Sequence, residues 1–235
     1  MSETLTDKLQ AFNDSLSEAE RANYKLLLGL AAGGLSPDFK TPFKPEKRAA
    51  FATVGETLAR LQPYSARISP NGIAYRGRPA FMTDEVLDSL VQEAAELRPR
   101  AFPYEEHFLG TGAPIANRLA VSQELCALVK AHAGDVQPTG VASFLYYDAP
   151  GQGIEPHIDT DIFSLNVILM LKHVGGDADR SCLVVFPPAG DPERLDLVPG
   201  EMVIMFAGSI THGREFVKPD EEVGILTFGF HPLGV

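Results

Sequence analysis

Two residues that can bind a metal ion, His157 and Asp159, lie one residue apart at the end of Gly151-Gln152-Gly153-Ile154-Glu155-Pro156. Successive side chains on an extended strand point to opposite faces, so this spacing directs the imidazole and the carboxylate to the same side. The glycines and the proline before the pair favour a sharp turn into such a strand. The segment therefore predicts two ligands of a metal site and requires a third from elsewhere in the chain.

The third predicted ligand is His212. Pro199-Gly200 predicts a turn, and the apolar run from residue 202 to 206 predicts a strand that delivers His212 at its end. Two imidazoles and one carboxylate on one side of a metal ion leave its other positions open, which is typical of non-haem Fe(II) oxygenases. Catalytic zinc sites can use the same ligand types, but the sequence contains no His-Glu-x-x-His motif, so iron is favoured.

The elements that would position these ligands change in character near residue 134. Before that point, apolar residues recur with helical spacing in residues 4–32, 51–61, 83–94 and 122–131. After it, short β-rich runs alternate with turn residues, which favours a sandwich or barrel over a parallel sheet with crossover helices. The predicted strands are Gly140–Tyr147, Ile154–Thr160, Leu165–His173, Cys182–Pro187, Arg194–Val198, Met202–Ala207 and Val223–Phe230.

The predicted fold class is therefore α+β, with a double-stranded β-helix (jelly roll) as the core and N-terminal helices that buttress one of its sheets. Residues 1–235 are expected to form a single domain. Within it, residues 1–134 form a mainly helical N-terminal part and residues 135–235 form the jelly-roll metal-binding core.

Three segments of the N-terminal part carry weaker local signals. Gly33-Gly34 is expected to end the first helical region. An Asn-Gly pair between short apolar runs predicts a hairpin in residues 68–81. Residues 99–116 are expected to form a loop.

Composition restricts the partners. The 235 residues include 20 Lys and Arg against 31 Asp and Glu, a net charge of −11, and contain no basic run, so neither nucleic acid nor an anionic membrane is expected as a partner. Cys126 and Cys182 are far apart and predict two free thiols in a reducing compartment. The first residues contain neither a basic nor an apolar signal segment, so a cytoplasmic protein is expected. The sequence does not indicate an oligomeric state.

The segment from Tyr147 to Asp159, with its Gly-Gln and Glu-Pro-His-x-Asp motifs, resembles the Fe(II)/2-oxoglutarate-dependent dioxygenase superfamily. The resemblance is to its prolyl-4-hydroxylase-like and phytanoyl-hydroxylase-like branches, and it covers roughly residues 140–231. It implies that His157, Asp159 and His212 are the iron ligands and the catalytic residues. It also implies that 2-oxoglutarate and dioxygen are cosubstrates, and that the conversion of 2-oxoglutarate to succinate is coupled to oxidation of a substrate C–H bond.

The sequence departs from the superfamily pattern at the cation that binds 2-oxoglutarate. That basic residue usually lies about ten residues after the second histidine, where this chain has Glu222. Some branches place it about fifteen residues after the first histidine, where this chain has Lys172. Lys172 is therefore the first candidate, and Arg180 and Arg214 compete with it. Tyr147 is expected to contribute a hydroxyl to the same cosubstrate.

The alternation of the strand that contains Lys172 agrees with this assignment. Its odd-numbered residues from Leu165 to Leu171 form one apolar face. The opposite face carries Asn166, Ile168, Met170 and Lys172. A face that mixes polar and apolar groups in this way is expected to line a polar cavity.

The leading hypothesis is an Fe(II)/2-oxoglutarate-dependent oxygenase that hydroxylates or otherwise oxidises a small molecule, such as a free amino acid or a natural-product intermediate. Glu222 motivates a second hypothesis, an iron oxidase of the same fold that does not use 2-oxoglutarate. A third is a catalytically inactive jelly-roll protein that only binds a ligand. Succinate formation distinguishes the first from the second, and Fe(II) binding distinguishes both from the third.

Overall fold

The structure, a computed structural model, describes residues 3–39, 41–62, 64–159, 161–176 and 179–233. Its helices are α1 (Leu5–Asp14), α2 (Glu18–Leu35), α3 (Pro45–Arg60), α4 (Asp84–Leu97), α5 (Pro114–Ala120) and α6 (Gln123–Ala133). Its strands are β1 (Ile73–Gly77), β2 (Phe102–Tyr104), β3 (His107–Thr111), β4 (Val136–Tyr147), β5 (Ile154–His157), β6 (Leu165–Val174), β7 (Leu183–Phe186), β8 (Glu193–Leu195), β9 (Met202–Met205), β10 (Thr211–Arg214) and β11 (Glu222–Pro232).

The described strands pair in two antiparallel sheets. The major sheet has the order β1-β9-β6-β11-β4-β3-β2, and the minor sheet has the order β5-β10-β7-β8. Apolar side chains from both sheets, including Ile168 and Ile225 of the major sheet and Val185 of the minor sheet, form one core cluster between them. The predicted α+β fold class with a jelly-roll core is therefore confirmed.

Helices α4, α5 and α6 cover the face of the major sheet that points away from the minor sheet, which we call the outer face. Helices α4 and α6 begin where the sequence provides caps, because the hydroxyls of Thr83 and Ser122 accept hydrogen bonds from the backbone N–H groups of Val86 and Leu125. The helices and the outer face share a large apolar cluster. This packing confirms that helices buttress one sheet.

Helix α2 lies directly against the strand that carries the first metal-ligand candidate. A Cβ atom on Gly33 would lie 2.8 Å from the carbonyl oxygen of Pro156, and one on Gly29 would lie 3.6 Å from Ile158. The glycines thus permit a close approach between α2 and β5. The prediction that Gly33-Gly34 ends the helix is wrong, since α2 continues to Leu35 and uses Gly33 for packing.

Other local predictions in the N-terminal part are also corrected. Residues 68–81 do not form a hairpin, because their one strand, β1, pairs with β9 instead of with a neighbour in sequence. Residues 99–116 are not a loop, since they contain β2 and β3, which extend the edge of the major sheet. Both errors have one cause: these short strands are stabilised by partners that are distant in sequence, which local patterns do not reveal.

Two boundaries near the metal-ligand candidates also differ from the predictions. The predicted strand of residues 154–160 ends at His157, and Thr160 lies outside the described residues. His212 is not at the end of the strand that begins at Met202. It lies on the separate strand β10, in the opposite sheet. Within the described residues, no helix is both long and apolar enough to cross a lipid bilayer.

Candidate metal centre and cosubstrate cavity

The structure brings the three predicted metal ligands together. His157 of β5 and His212 of β10 are direct partners across the antiparallel pair. Asp159 follows β5, and its backbone N–H donates to the carbonyl of Ala207 at 3.0 Å. One ligand atom from each of the three side chains lies within 4.8 Å of the others. The Nε2 atoms of His157 and His212 lie 3.3 and 3.6 Å from the carboxylate oxygens of Asp159.

Hydrogen bonds around the cluster orient each of these side chains. The Nδ1 atoms of His157 and His212 lie 2.8 and 3.1 Å from the carbonyl oxygens of Glu155 and Ile210. An Nδ1–H group that donates to a carbonyl leaves the Nε2 lone pair free for a metal ion. The side-chain amide of Asn166 donates to Asp159 at 2.8 Å and so fixes the carboxylate.

The electrostatics of the cluster suit a divalent cation. Burial lowers the pKa of His212 to about 4, so this imidazole is neutral near pH 7. Burial would also lower the pKa of His157, but the hydrogen bond and the charge of Asp159 outweigh it and the pKa is raised. Burial would raise the pKa of Asp159, and the two imidazoles outweigh it and lower that pKa. A metal ion bound by Nε2 of His157 would replace a proton there.

The cluster opens into a cavity of about 600 Å³ between the two sheets. This volume is in the range of small-molecule sites, which are mostly apolar with a few placed polar groups. Its apolar lining includes Leu145, Ile168, Met170, Leu183 and Ile225. Its polar lining includes His107, Ser143, Tyr147, Asn166, Arg214 and Thr227, together with the three metal-ligand candidates.

Among the described residues, Arg214 is the one lysine or arginine that lines this cavity. It lies two residues after His212 on β10, so both side chains point to the same side of the strand. The Arg214 side chain is only 3% exposed. Its Nη2 atom donates to the carbonyl and the hydroxyl of Ser181, at 3.1 and 3.0 Å, while its Nε has no partner among the described residues. Burial lowers the pKa of Arg214 from its usual value.

Tyr147, the last residue of β4, lies beside Arg214. The guanidinium carbon of Arg214 is 5.7 Å from the centre of the tyrosine ring. The ring is fully buried, and burial raises the pKa of Tyr147 well above its usual value, so the hydroxyl keeps its proton. That hydroxyl has no hydrogen-bond partner in the described part of the chain. It is therefore a donor that can bind a ligand.

The structure does not bring Lys172 or Arg180 to the cavity. The Nζ atom of Lys172 lies 2.6 Å from Glu222, and its side chain is 41% exposed. Arg180 pairs with Asp196 at 2.8 Å. Neither cation belongs to the described lining of the cavity. Glu222, which stands where the superfamily pattern has a basic residue, is the ion-pair partner of Lys172 on the surface.

A β-bulge explains why strand alternation misplaced Lys172. Met170 pairs with Ile225 of β11, but Lys172 pairs with Gly224, so one residue of β6 has no counterpart. An extra residue reverses the inward and outward alternation beyond it. His173 turns inward instead of Lys172, and its Nε2 atom lies 3.4 Å from the buried carboxylate of Glu221.

The structure adds His107, a residue to which no role is assigned from the sequence. Its side chain lines the cavity, is 3% exposed, and stacks on the Tyr147 ring with 5.3 Å between ring centres. Burial lowers the pKa of His107 to about 4, with a smaller contribution from the charge of His157. The sequence carries no signal for this residue, because its strand, β3, was expected to be a loop.

Four residues that line the cavity each carry a buried polar atom without a partner among the described residues. These atoms are His107 Nδ1, Tyr147 Oη, Asn166 Oδ1 and Arg214 Nε. Buried polar atoms are almost always hydrogen-bonded in folded proteins. Their concentration in one cavity indicates that the cavity accommodates a polar ligand.

Solved structures with the same fold include SnoN, an epimerase crystallised with Fe3+, alpha ketoglutarate and nogalamycin RO, at a TM-score of 0.59 and 17% identity, covering 74% of this chain and 83% of that one. A Pseudomonas putida prolyl-4-hydroxylase has a TM-score of 0.55 and 17% identity, covering 75% and 100%. HygX from Streptomyces hygroscopicus, with nickel, 2-oxoglutarate and hygromycin B bound, has a TM-score of 0.55 and 12% identity, covering 69% and 84%. No protein-family model and no curated protein matches the sequence. The chain therefore has the fold of the Fe(II)/2-oxoglutarate oxygenases.

Proposed function

We propose that this protein is an Fe(II)- and 2-oxoglutarate-dependent oxygenase that oxidises a C–H bond of a small molecule. The observation that carries the proposal is the position of Arg214, a buried cation on the same strand face as His212, in the cavity that the metal cluster opens into. SnoN and HygX, which share the fold, were crystallised with natural products. This supports a small molecule, such as a natural-product intermediate or a free amino acid, as the substrate.

The residues present fit an iron ion. His157 and His212 offer Nε2 atoms, and Asp159 offers a carboxylate, all from one side of the cavity. Two histidines and one carboxylate in this arrangement suit non-haem Fe(II) and leave positions open for other ligands. The carbonyls that accept from the two Nδ1 atoms and the amide of Asn166 would hold the three ligands in place.

The residues present also fit 2-oxoglutarate. Arg214 has an unpartnered Nε–H and Tyr147 an unpartnered hydroxyl, and both are donors that a carboxylate accepts well. Because Arg214 follows His212 along the strand, a dicarboxylate bound to the metal at one end would direct its distal carboxylate towards Arg214. The apolar residues between the sheets exclude water from this end of the cavity, which strengthens the ion pair.

When bound, iron and 2-oxoglutarate would supply the oxidising power, by activation of dioxygen with conversion of 2-oxoglutarate to succinate. The chain's own contribution is positioning. His157, His212 and Asp159 hold the metal, Arg214 and Tyr147 orient the cosubstrate, and the apolar walls keep solvent from the reaction.

The test compares the cation chosen from the structure with the one chosen from the sequence. Fe(II) and 2-oxoglutarate are added anaerobically to the protein, and the visible metal-to-ligand charge-transfer band is titrated in parallel with succinate release in air. Arg214→Gln is expected to weaken 2-oxoglutarate binding by about 100-fold, because a buried charge-assisted pair is lost. Lys172→Gln, the matched control, is expected to leave that affinity within about twofold of the parent, because its ion pair lies on the surface.

Three outcomes would contradict the proposal. Weaker 2-oxoglutarate binding in Lys172→Gln than in Arg214→Gln would restore the assignment made from the sequence. Dioxygen consumption without succinate would favour an iron oxidase of the same fold. Failure to bind Fe(II) would favour a jelly-roll protein that only binds a ligand.

A further inference from the structure

The outer end of the cavity, which we call the acidic mouth, consists of Tyr104, Glu105 and Glu155. All three line the cavity and are exposed to solvent. Glu155 lies two residues before His157 on β5, and both residues line the cavity. Tyr104 ends β2 and Glu105 follows it, and together they bring an aromatic ring and a carboxylate to the same opening.

No lysine or arginine of the described residues pairs with the carboxylates of the acidic mouth, although Glu105 interacts electrostatically with His157. Within the described residues, neither Glu105 nor Glu155 forms a salt bridge or a side-chain hydrogen bond. The only other charged side chains in the described lining, apart from histidines, are Asp159 and Arg214. The proposed function uses Asp159 for the metal ion and Arg214 for the distal carboxylate of 2-oxoglutarate. Two negative charges then remain at the mouth, facing the space left for the substrate.

A buried acceptor deeper in the cavity calls for a hydrogen-bond donor, which an amine can supply. Asn166 is 6% exposed, and its Nδ2 donates to the Asp159 carboxylate. A carboxylate ion only accepts hydrogen bonds, so this contact fixes the orientation of the amide. The Oδ1 atom of Asn166 is left as an acceptor without a partner among the described residues. It requires an N–H or O–H donor from the ligand or from solvent.

We infer that the primary substrate carries a positively charged amino group, held by Glu105, Glu155 and the Tyr104 ring, and presents a hydrogen-bond donor to Asn166. The inference rests on the proposed function, since that function assigns Arg214 to the cosubstrate. An ammonium ion pairs with carboxylates and with the face of a tyrosine ring, whereas a carboxylate substrate would be repelled at this mouth. The net charge of −11 also raises the local concentration of cations around the protein.

The test uses pairs of small molecules that differ only in whether the amine is free or acetylated. The probes are tyramine, glucosamine and putrescine with their fully N-acetylated forms. Binding is measured by calorimetry with the anaerobic Fe(II)- and 2-oxoglutarate-loaded protein, and again without metal or cosubstrate. At least one free amine is expected to bind about tenfold more tightly than its acetylated form, the effect of two partly exposed ion pairs.

The double variant Glu105→Gln/Glu155→Gln is expected to abolish that preference. Glu124→Gln, an exposed residue of α6 that is outside the lining of the cavity, removes one negative charge as a matched control and should keep the preference. Three results would overturn the inference: no free amine binds, the acetylated form binds as tightly, or the preference survives in the double variant. Loss of the charge-transfer band with amine binding retained would instead overturn the proposed function alone, because the mouth does not need iron.

Discussion

The two faces of the major sheet carry alternate residues of the same strands and have opposite properties. On the outer face, β6 contributes Leu165, Val167, Leu169 and Leu171 to an apolar cluster closed by helices α4 to α6. On the inner face, the same strand contributes Asn166, Ile168 and Met170 to the cavity. Four residues that line the cavity carry a buried polar atom without a partner in the described part of the chain. The outer face is filled by the protein itself, whereas the inner face borders an open cavity.

This difference separates stability from function at the level of single residues. Buried apolar surface is the dominant favourable contribution to folding, so the outer face stabilises the sheet. Buried polar atoms without partners cost free energy, and proteins retain them mainly where function requires them. Substitutions on the outer face should therefore reduce the free energy of unfolding, whereas substitutions on the inner face should change ligand binding.

The largest expected effect is on the outer face. Phe228 of β11 is fully buried in the apolar cluster, and Phe228→Ala should lower the free energy of unfolding by about 3–5 kcal/mol, because a large cavity is left. Succinate release per folded molecule should be retained. Thr227→Val changes the adjacent residue, which faces the cavity, and should alter that free energy by less than about 1 kcal/mol. Urea denaturation measures both, and equal losses in the two variants would contradict the comparison.

The alternation of β6 was predictable from the sequence as far as Met170, and the predicted faces agree with the structure up to that residue. Beyond it, the bulge reverses the alternation, and nothing in the residues around Leu171 signals an extra residue. The register is set by the pairing of β6 with β11, a contact between segments distant in sequence. The position of Lys172 on the surface and of Arg214 in the cavity lining therefore required the structure, and the proposed function uses Arg214 for that reason.

The metal-ligand candidates were accessible to sequence reasoning for a different reason. The spacing of His157 and Asp159 is local, and a strand of any register directs both side chains to one face. His107 had no such local signal, because the strand that contains it is short and is ordered by pairing with β4. Local patterns therefore predicted the two candidates that lie close in sequence. They also predicted His212, but at the end of the wrong strand, and they missed His107, which tertiary contacts alone bring to the cavity.

A smaller effect is expected in the pH dependence of stability. Glu221 is buried beside Arg214, and its carboxylate accepts backbone N–H bonds from Ser181 at 2.6 Å and Lys218 at 2.8 Å. Burial would raise the pKa of Glu221, but these bonds and that from His173 outweigh it, so the folded-state pKa is lowered from 4.5. The stability contributed by the ionised form is fully present above pH 4.5 and is lost as the pH falls through the lower folded-state pKa.

Glu221→Gln should therefore lower the free energy of unfolding by about 1–3 kcal/mol near neutral pH, and by progressively less below the unfolded-state pKa. Phe228→Ala, which removes no titratable group, should cost the same at each pH. Urea denaturation at several pH values between neutral and mildly acidic measures both dependences. A pH-independent loss in Glu221→Gln would show that its carboxylate does not contribute through ionisation.

The smallest expected effect tests the inner face most directly. Asn166→Ala removes the donor that orients Asp159, and loss of such a supporting hydrogen bond typically costs about tenfold or more in metal affinity. The same substitution removes an acceptor, Oδ1, that has no partner among the described residues. The loss of the bonded donor and the removal of the unpaired acceptor have opposite effects on stability, so the free energy of unfolding should change by less than about 1 kcal/mol.

Competition for Fe(II) with a chelator measures the metal affinity, and urea denaturation measures the free energy of unfolding, with Ser143→Ala as a control in the same cavity. A large loss of stability with unchanged metal affinity would mean that Asn166 supports the sheet rather than the metal ligand, and the separation between the two faces would fail at the residue nearest the metal site.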